Sequence, residues 1–595
     1  MFQPVQPLKI LRKKSQMRSR SSVQFRSRWI RFGAIAFGLL SGVAASLVFA
    51  ASTQAAERIQ LRFGLAGVVV TREELETFAE TGEASGGLET ILSRLEPDLR
   101  SQFQTVLTAH YDLDPVLANR FSYTQSGEQL LTEVGELIRT ESGANGFKGL
   151  RAALTLAAAD LEGLTLLKFI EVFPSNIQID ISQALRLGGR FRTLFADTQQ
   201  VVSQLKEETA AIAQTKPPVD FSTLPDPRAL GNRTVSMETM TLYDAERDRT
   251  ILVDIYTPNF LEADAEQSMP VIVVSNGLGA RRDRFTELAN HLASHGFAVA
   301  LPDHPGSDRE RLSDFYDGLE SENFEPTEYI DRPLDVSFIL DELTRLNLDQ
   351  FSDRLNLEQA GVFGYSFGGT TALALAGAEI DLEHLQQSCE TRSSLFNISL
   401  LYQCRALELP EDAIANVKLK DDRIKAIYTF VPFSRSLYGP NGMAQVEGPI
   451  LWEATDRDIL TPFVVEQIPA FGWLSNTDVE ENLEAQAPNQ SESQSVEQSE
   501  RYLAVTTGLP HARITLEVLD RLTGQESDWE GIRAIAENYH QSLNIAFFKV
   551  HLANDDTYRP YLHAQGAQYL SQEPYPLAWK EAEFSESLSE SLYGE

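Results

Sequence analysis

Strand and helix patterns alternate along the chain from residue 271 onward, and this alternation restricts the fold more than any other feature of the sequence. The apolar strand patterns lie at 271–275, 297–302, 361–365, 423–433, 449–454 and 502–507. Helix patterns at 284–294 and 334–346 separate the first three, and a closing helix pattern lies at 531–552. Consecutive parallel strands need crossover connections of this length, which are usually helical. The sequence therefore predicts an α/β protein with a mostly parallel sheet and helices on both faces.

A glycine-rich motif with a central serine lies at the end of one of these strand patterns. Gly364-Tyr365-Ser366-Phe367-Gly368-Gly369 follows the residues 361–363 and precedes a small-residue helix pattern at 370–376. A G-x-S-x-G sequence between a buried strand and a helix is typical of a sharp turn that exposes the serine hydroxyl, and glycines allow the close approach of helix and strand. We therefore predict Ser366 as a nucleophile; the alternative is a turn with a structural role alone.

A serine hydroxyl is a weak nucleophile, so it needs a base and a third group that orients the base. With this motif, an acid and then a histidine follow the serine along the chain. His511 lies just after the strand pattern at 502–507 and is the predicted base. Two aspartates follow the strand pattern at 449–454: Asp458 is the predicted acid from its spacing, and Asp456, nearer the strand end, is the alternative.

Two backbone amides are expected to stabilise the negative charge that develops on an attacked carbonyl oxygen. The Phe367 amide directly follows the serine, and Leu278 lies in the turn Ser275-Asn276-Gly277-Leu278-Gly279 after the strand at 271–275. Donors from these two places are typical of a strand–turn–helix nucleophile motif. We predict Leu278 and Phe367 as the donors; a plain glycine turn is the alternative interpretation at Leu278.

Periodicity and composition divide the chain into segments. Residues after Glu57 have helical patterns, which include Thr71-Arg72-Glu73-Glu74, a sequence typical of a capping box. The Pro-rich stretch around Lys216-Pro217-Pro218 predicts a linker. The predicted segments are a signal or anchor at 1–56, a small helical domain at 57–205, a linker at 206–233, a catalytic α/β domain at 234–575 with a cap insertion at about 377–420 and a disordered insertion at about 475–500, and an acidic tail at 576–595.

The first 56 residues have the composition of an export signal. They contain nine Lys and Arg and no acidic residue, and they include an uncharged apolar stretch at 32–50 and small residues up to Ala55-Ala56. This order is typical of a secretory signal that is cleaved near Ala55 or Ala56. The apolar stretch is at the short limit for a membrane span, so an uncleaved anchor is the alternative. Both interpretations predict an exported protein, in a periplasmic, lumenal or extracellular location.

The charge balance argues against one class of partner. The chain has 85 Asp and Glu against 51 Lys and Arg, which gives a formal net charge of −34. Because an acidic surface repels phosphate backbones, we expect no nucleic-acid partner. Contact with a membrane surface stays open, and the sequence indicates no protein partner.

The two cysteines, Cys389 and Cys404, lie fifteen positions apart in the part of the chain that is predicted to be exported. In an oxidising compartment we predict a disulfide between them, and two unrelated buried thiols are the alternative. Two cysteines alone do not make a structural zinc site. We expect no metal and no cofactor.

These motifs together resemble a known branch of proteins. The segments that carry the resemblance are Asn276-Gly277-Leu278-Gly279-Ala280, Asp303-His304-Pro305-Gly306-Ser307, Gly364-Tyr365-Ser366-Phe367-Gly368-Gly369 and those around Asp458 and His511. They resemble the platelet-activating-factor acetylhydrolase and dienelactone-hydrolase branch of the α/β-hydrolases over residues 234–552. One departure is Asn276, where that branch often has His. Residues 152–165 and 397–404 also resemble a bacterial, largely cyanobacterial, group of exported α/β-hydrolases with a helical N-terminal domain of unknown role.

The resemblance implies the α/β-hydrolase fold and hydrolysis of short acyl esters through an acyl-enzyme, including the sn-2 ester of a phospholipid. The expected partner is a small-molecule or lipid ester. Because many activities share this fold, a lipase and a peptidase are alternatives. A non-catalytic binding protein of the same fold is a further alternative, although none of the predicted catalytic residues is missing.

Overall fold

The computed structural model describes residues 55–581, except residues 65, 95, 112, 161–162, 260–267, 475–499, 514, 518–519 and 521–526. The predicted signal or anchor up to residue 54, the predicted insertion up to residue 499 and the tail from residue 582 therefore lie outside the described residues. None of the helices in the described part combines the length and the apolar character that a membrane span needs.

The N-terminal region combines helices with a small sheet. Its helices are α1 (Arg72–Thr81), α2 (Gly86–Leu92), α3 (Pro97–Thr108), α4 (Pro115–Tyr123), α5 (Gln125–Leu137), α6 (Phe147–Ala158) and α7 (Leu166–Val172). Its strands are β1 (Arg58–Phe63), β2 (Ala66–Thr71), β3 (Ile138–Thr140) and β4 (Ile177–Asp180), in the order β2–β1–β4–β3. The predicted capping box opens α1, with Glu74 N donating to Thr71 Oγ1 and Thr71 N donating to the Glu74 carboxylate. The sequence patterns do not predict this sheet, because β3 and β4 have only three and four residues.

A long helix, α8 (Ile181–Thr215), joins this region to the rest of the chain. It continues past the predicted linker boundary at residue 205, because Leu205, Thr209 and Ala213 are buried against neighbouring elements. Trp579 N donates a hydrogen bond of 2.9 Å to Thr209 Oγ1. The helix therefore packs against the second region, and irregular chain begins only after Thr215.

A nine-stranded sheet forms the centre of the second region within the described residues. Its strands are β5 (Val235–Asp244), β6 (Arg249–Pro258), β7 (Met269–Ser275), β8 (Ala298–Pro302), β9 (Leu355–Tyr365), β10 (Ile424–Phe430), β11 (Ile450–Thr455), β12 (Arg501–Thr506) and β13 (Leu577–Glu581). Their order is β13–β12–β11–β10–β9–β7–β8–β6–β5. The strands from β12 to β8 in this order run parallel, whereas β13, β6 and β5 pair antiparallel. The predicted tail boundary at 576 is thus too early, because Leu577–Glu581 complete the sheet beside β12.

Helices cover both faces of this sheet. They are α9 (Thr286–Ser294), α10 (Arg309–Asp317), α11 (Glu328–Phe351), α12 (Phe367–Leu375), α13 (Leu382–Thr391), α14 (Leu400–Gln403), α15 (Glu411–Ala415), α16 (Arg435–Met443), α17 (Ile468–Trp473), α18 (Trp529–His551) and α19 (Ala564–Leu570). On one face, Val336 and Leu340 of α11 and Leu373 of α12 pack on the sheet. On the other face, Leu292 of α9 and Phe547 of α18 do so. Apolar side chains on both faces explain why the central strands are almost continuously apolar.

The segment between α12 and β10, which contains the predicted cap, is held by covalent and polar contacts. A disulfide joins Cys389 to Cys404, as the sequence predicts. Ser393 Oγ and Ser394 Oγ each donate 2.8 Å hydrogen bonds to the Glu133 carboxylate on α5. The N-terminal region therefore contacts this segment directly.

The carboxyl group of Glu453 is fully buried inside the sheet. Glu453 lies on β11 and accepts a 2.6 Å hydrogen bond from Tyr428 Oη, and Nε2 of His540 lies 3.4 Å from its Oε2. Burial raises the pKa of Glu453 to about 8, although hydrogen bonds from Tyr428 and Thr506 act in the opposite direction. Burial lowers the pKa of His540 to about 3. Both side chains are therefore neutral in the folded protein at pH 7.

Replacing Glu453 by Gln should reduce the loss of stability at rising pH. In the unfolded chain Glu453 ionises above its ordinary pKa of about 4.5, whereas in the folded protein it stays protonated up to about pH 8. The carboxyl group therefore lowers the free energy of unfolding between these pH values by up to about 1.4 kcal/mol per pH unit. In urea unfolding from pH 5 to 8, the free energy of unfolding of Glu453→Gln should rise relative to that of the parent protein with each increase in pH. A stability difference that stays constant over this range, as expected for the exposed control Glu238→Gln, would contradict the assignment.

Candidate active site

Three predicted side chains lie at the same edge of the large sheet. Ser366 directly follows β9, Asp458 follows β11 and His511 follows β12. Because these strands run parallel, their carboxyl ends meet at one edge, where open α/β sheets place their sites. All three side chains are buried.

The backbone at Ser366 has the strained conformation of a sharp turn. Its φ and ψ are 54° and −116°, in a region that non-glycine residues rarely adopt. A Cβ atom at Gly364 would lie 2.1 Å from the carbonyl oxygen of Gly368, and one at Gly368 would lie 1.9 Å from that of Ser275. The two glycines of the motif are therefore required by close backbone contacts between β9, α12 and β7.

His511 links the serine to an aspartate through both of its ring nitrogens. Nε2 lies 3.0 Å from Ser366 Oγ, and Nδ1 lies 2.6 Å from Asp458 Oδ2. A carboxylate can only accept, so Nδ1 carries a proton, and in the neutral ring Nε2 then accepts from the serine hydroxyl. Tyr365 Oη donates to the His511 carbonyl oxygen at 2.9 Å, which fixes the backbone of the histidine.

The surroundings of the two candidate aspartates differ. Asp458 accepts hydrogen bonds from the amides of Leu460 and Thr461 and a 2.6 Å bond from Thr461 Oγ1. Burial by itself would raise the pKa of Asp458, but the interaction with His511 and these donors hold it below its usual value. Asp456 instead accepts from Gly508 N at 2.6 Å, and burial raises its pKa. The structure thus places Asp458 against His511, and Asp456 ties the loop after β11 to the loop after β12.

The turn after β7 lies beside the serine. A Cβ atom at Gly277 would lie 3.3 Å from Ser366 Cβ, so the backbone next to Leu278 comes close to Ser366. Phe367 is the first residue of α12, and the first amides of a helix have no acceptor within the helix. Gly277, next to Leu278, and the first amide of α12 therefore both lie close to Ser366.

A second, fully buried Ser-His-Asp chain lies under this turn. His304 Nδ1 is 3.0 Å from Asp335 Oδ2, and His304 Nε2 is 3.0 Å from Ser275 Oγ. Burial lowers the pKa of His304 to about 4, so the ring is neutral, and Ser275 has no exposed surface. This chain fixes the end of β7 rather than presenting a nucleophile to solvent.

Arg332 on α11 holds the turn itself. It is 1% exposed, and its Nη1 and Nε donate to Asn276 O at 2.6 Å and Ser307 Oγ at 2.7 Å. The buried carboxylate of Glu328 lies 3.5 Å from Arg332 Nε. Sequence reasoning misses Arg332 and Asp335, because Asp335 lies inside an ordinary helix pattern and Arg332 just before it, where no motif distinguishes a buried charge from an exposed one.

A cavity of about 320 Å³ borders His511. Its lining combines aromatic and aliphatic side chains, such as Phe285, Phe430 and Trp529, with charged ones, such as Arg284 and Glu537. No group of three or more His, Cys, Asp or Glu side chains is arranged to hold a metal ion in the part of the chain that the structure describes.

Two family models match the chain. One, described as an alpha/beta hydrolase of unknown function, matches residues 55–180. The other, described as the alpha/beta hydrolase fold, matches residues 270–386, which include β7, the turn after it and the Ser366 motif. The chain has the α/β-hydrolase fold. Families with this fold are generally hydrolases, so the matches support a hydrolase, and the first extends this support to the N-terminal region.

Removing the buried cation under the turn should destabilise the α/β-hydrolase domain strongly. Arg332→Met leaves the buried acceptors Asn276 O and Ser307 Oγ without their donor. It also removes the buried cation 3.5 Å from Glu328, which then keeps, among the described residues, only its bonds from Arg249 and Ser307. We therefore expect a loss of about 3 kcal/mol or more in urea unfolding. The control is Arg345→Met, which breaks the pair with Glu342 from an arginine that is 64% exposed and should cost less than about 1 kcal/mol. Equal costs for the two variants would contradict the role of Arg332.

Proposed function

We propose that this protein is a serine hydrolase that cleaves carboxylic esters. The observation that carries the proposal is the unbroken hydrogen-bond chain from Ser366 Oγ through both ring nitrogens of His511 to Asp458. This arrangement activates a serine hydroxyl on many unrelated folds and is identified by its geometry. The strained turn at Ser366, which the surrounding backbone contacts enforce, supports the same interpretation.

In the proposed reaction Ser366 Oγ attacks the ester carbonyl carbon while its proton passes to His511 Nε2. The carbonyl oxygen becomes negative, and the amides of Leu278 and Phe367 donate to it. The C–O bond then breaks, and His511 returns the proton to the departing alcohol. Water attacks the acyl-enzyme by the same route and releases the acid. Asp458 stays ionised and stabilises the imidazolium that forms in each half of the reaction, and its lowered pKa favours this role.

The proposed substrate class comes from the family resemblance. A cavity of about 320 Å³ borders His511, but neither Ser366 nor Leu278 is among the described residues that line it, so its volume sets no limit on the acyl group. The resemblance to the platelet-activating-factor acetylhydrolase and dienelactone-hydrolase branch extends the proposal to short acyl esters, with the sn-2 ester of a phospholipid as one candidate. A lipase of the same fold would prefer long acyl chains, and a peptidase would cleave amides. A panel of chromogenic esters of increasing acyl length, together with one anilide, therefore distinguishes a short-acyl esterase from a lipase and from a peptidase.

We place the reaction outside the cytoplasm. The basic and apolar first 56 residues support export. The disulfide between Cys389 and Cys404 is compatible with an oxidising compartment. N-terminal sequencing of the protein from a cell-envelope fraction distinguishes cleavage near Ala55 or Ala56 from retention of an anchor.

Substitutions in the proposed triad should be strongly non-additive. With a short p-nitrophenyl ester, Ser366→Ala and His511→Ala should each lower kcat/KM by about 10⁴-fold or more, and the double variant should be scarcely worse. Asp458→Asn should lower it by about 10³-fold or more, because His511 loses the acceptor that fixes its tautomer. The matched control is Asp456→Asn, whose amide oxygen can still accept from Gly508 N and which should stay within about threefold of the parent.

Circular dichroism of each variant confirms that it is folded before the rates are compared. Full esterase activity in the folded Ser366→Ala variant would contradict the proposal that Ser366 is the nucleophile. A larger loss for Asp456→Asn than for Asp458→Asn would assign the acid to Asp456 and leave the nucleophile unchanged.

A further inference from the structure

A second, much larger cavity lies away from the proposed catalytic residues. It has a volume of about 1260 Å³ and lies between α8 and the segment 391–400 that follows α13, with Val464 and Val465 also in its lining. Neither Ser366 nor His511 is among the described residues that line it. We call this cavity the arginine cleft, since its lining includes Arg186, Arg190, Arg192, Arg392 and Arg435.

The charge of the arginine cleft is opposite to that of the chain. Its lining holds five guanidinium groups and one carboxylate, Asp197, in a protein with a formal net charge of −34. Arg186, Arg190, Arg192 and Arg392 form no ion pair with any carboxylate of the described residues. Arg186, Arg190 and Arg192 are exposed to solvent, and Arg392 is half-buried. Because the positive charges outnumber the single carboxylate, they repel one another, and an anion in the cleft would relieve this repulsion.

The nearest buried carboxylate is already fully engaged. Glu466 accepts hydrogen bonds of 2.7 Å from Ser434 N, 2.8 Å from Arg435 N and 2.6 Å from Asn397 Nδ2. Burial lowers the pKa of Arg392, and the charge of Glu466 opposes this only in part. The half-buried guanidinium of Arg392 therefore lacks a close carboxylate partner.

The cleft also has an apolar side and an open stretch of backbone. The Phe396 ring lies 4.4 Å from the Arg190 guanidinium and 4.8 Å from the Phe191 ring, and Leu400, Val464 and Val465 add apolar surface. Gly188 and Gly189 lie in the interior of α8, and no atom lies within 4 Å of a Cβ built on either. Each glycine costs about 1 kcal/mol of helix stability relative to alanine, and packing within the protein does not explain this cost.

We propose that the arginine cleft binds a phosphate group, either as the headgroup of a lipid-like molecule or as a free anion. The planar guanidinium donates two parallel hydrogen bonds to a phosphate, which makes arginine the residue of choice for this group. The apolar side of the cleft accommodates an attached chain. The proposal needs no catalysis at Ser366, so it stands or falls separately from the proposed function.

The test measures binding to the full-length chain by isothermal titration calorimetry at low ionic strength. The probes are dodecyl phosphate below its micelle concentration, inorganic phosphate and the zwitterionic dodecylphosphocholine. The cleft variant carries Arg186→Gln and Arg190→Gln. The control variant, Arg58→Gln and Arg345→Gln, removes the same amount of charge at two arginines outside the cleft, whose side chains are at least 59% exposed.

We expect saturable binding of dodecyl phosphate, with a dissociation constant at least tenfold higher in the cleft variant and less than twofold higher in the control variant. Ser366→Ala should bind as the parent does. Binding of dodecyl phosphate that is much tighter than that of inorganic phosphate assigns the site to a lipid-like molecule, and equal affinities assign it to the free anion. Equal losses in the cleft and control variants, tighter binding of dodecylphosphocholine, or no saturable binding of either phosphate probe overturns the proposal.

Discussion

The turn at Ser366 depends on backbone contacts that leave no room for a side chain. Gly364 lies against Gly368, and Gly368 lies against the last carbonyl group of β7, with hypothetical Cβ atoms at 2.1 and 1.9 Å from the facing oxygens. These contacts join β9, α12 and β7 at one point. They therefore set both the strained conformation of the serine and its distance from the turn that contains Leu278.

The parallel sheet supplies the other half of the site. Asp458 and His511 lie on loops after β11 and β12, which are neighbours in the sheet, so pairing of the strands brings the Asp458 carboxylate to the His511 ring. Beneath the turn after β7, Arg332, His304 and Asp335 hold the backbone from the core side through buried hydrogen bonds. The arrangement of Ser366, His511 and Asp458 thus rests on a charged network that is itself removed from water, where the loss of one partner is costly.

The sequence predicts the parallel sheet. It also predicts Ser366, Asp458 and His511 as site residues, because each follows an apolar strand pattern and Ser366 lies in a glycine motif that allows a close approach of helix and strand. The sequence favours Asp458 from its spacing and keeps Asp456 as the alternative, since a separation of two positions on one loop does not show which side chain faces the histidine. In the structure, Asp458 contacts His511 and Thr461, whereas Asp456 accepts from Gly508. The N-terminal sheet, the edge strand at 577–581 and the network around Arg332 escape prediction, because short strands and helical charges acquire their roles only through contacts distant in the chain.

Labelling with a fluorophosphonate, followed by peptide mapping, shows whether Ser366 is an activated nucleophile. We expect a covalent adduct on Ser366 and on no other serine, with labelling abolished in His511→Ala although that variant keeps the serine. Absence of an adduct on Ser366 in the folded protein, or equal labelling when His511 is replaced, would contradict this role of Ser366.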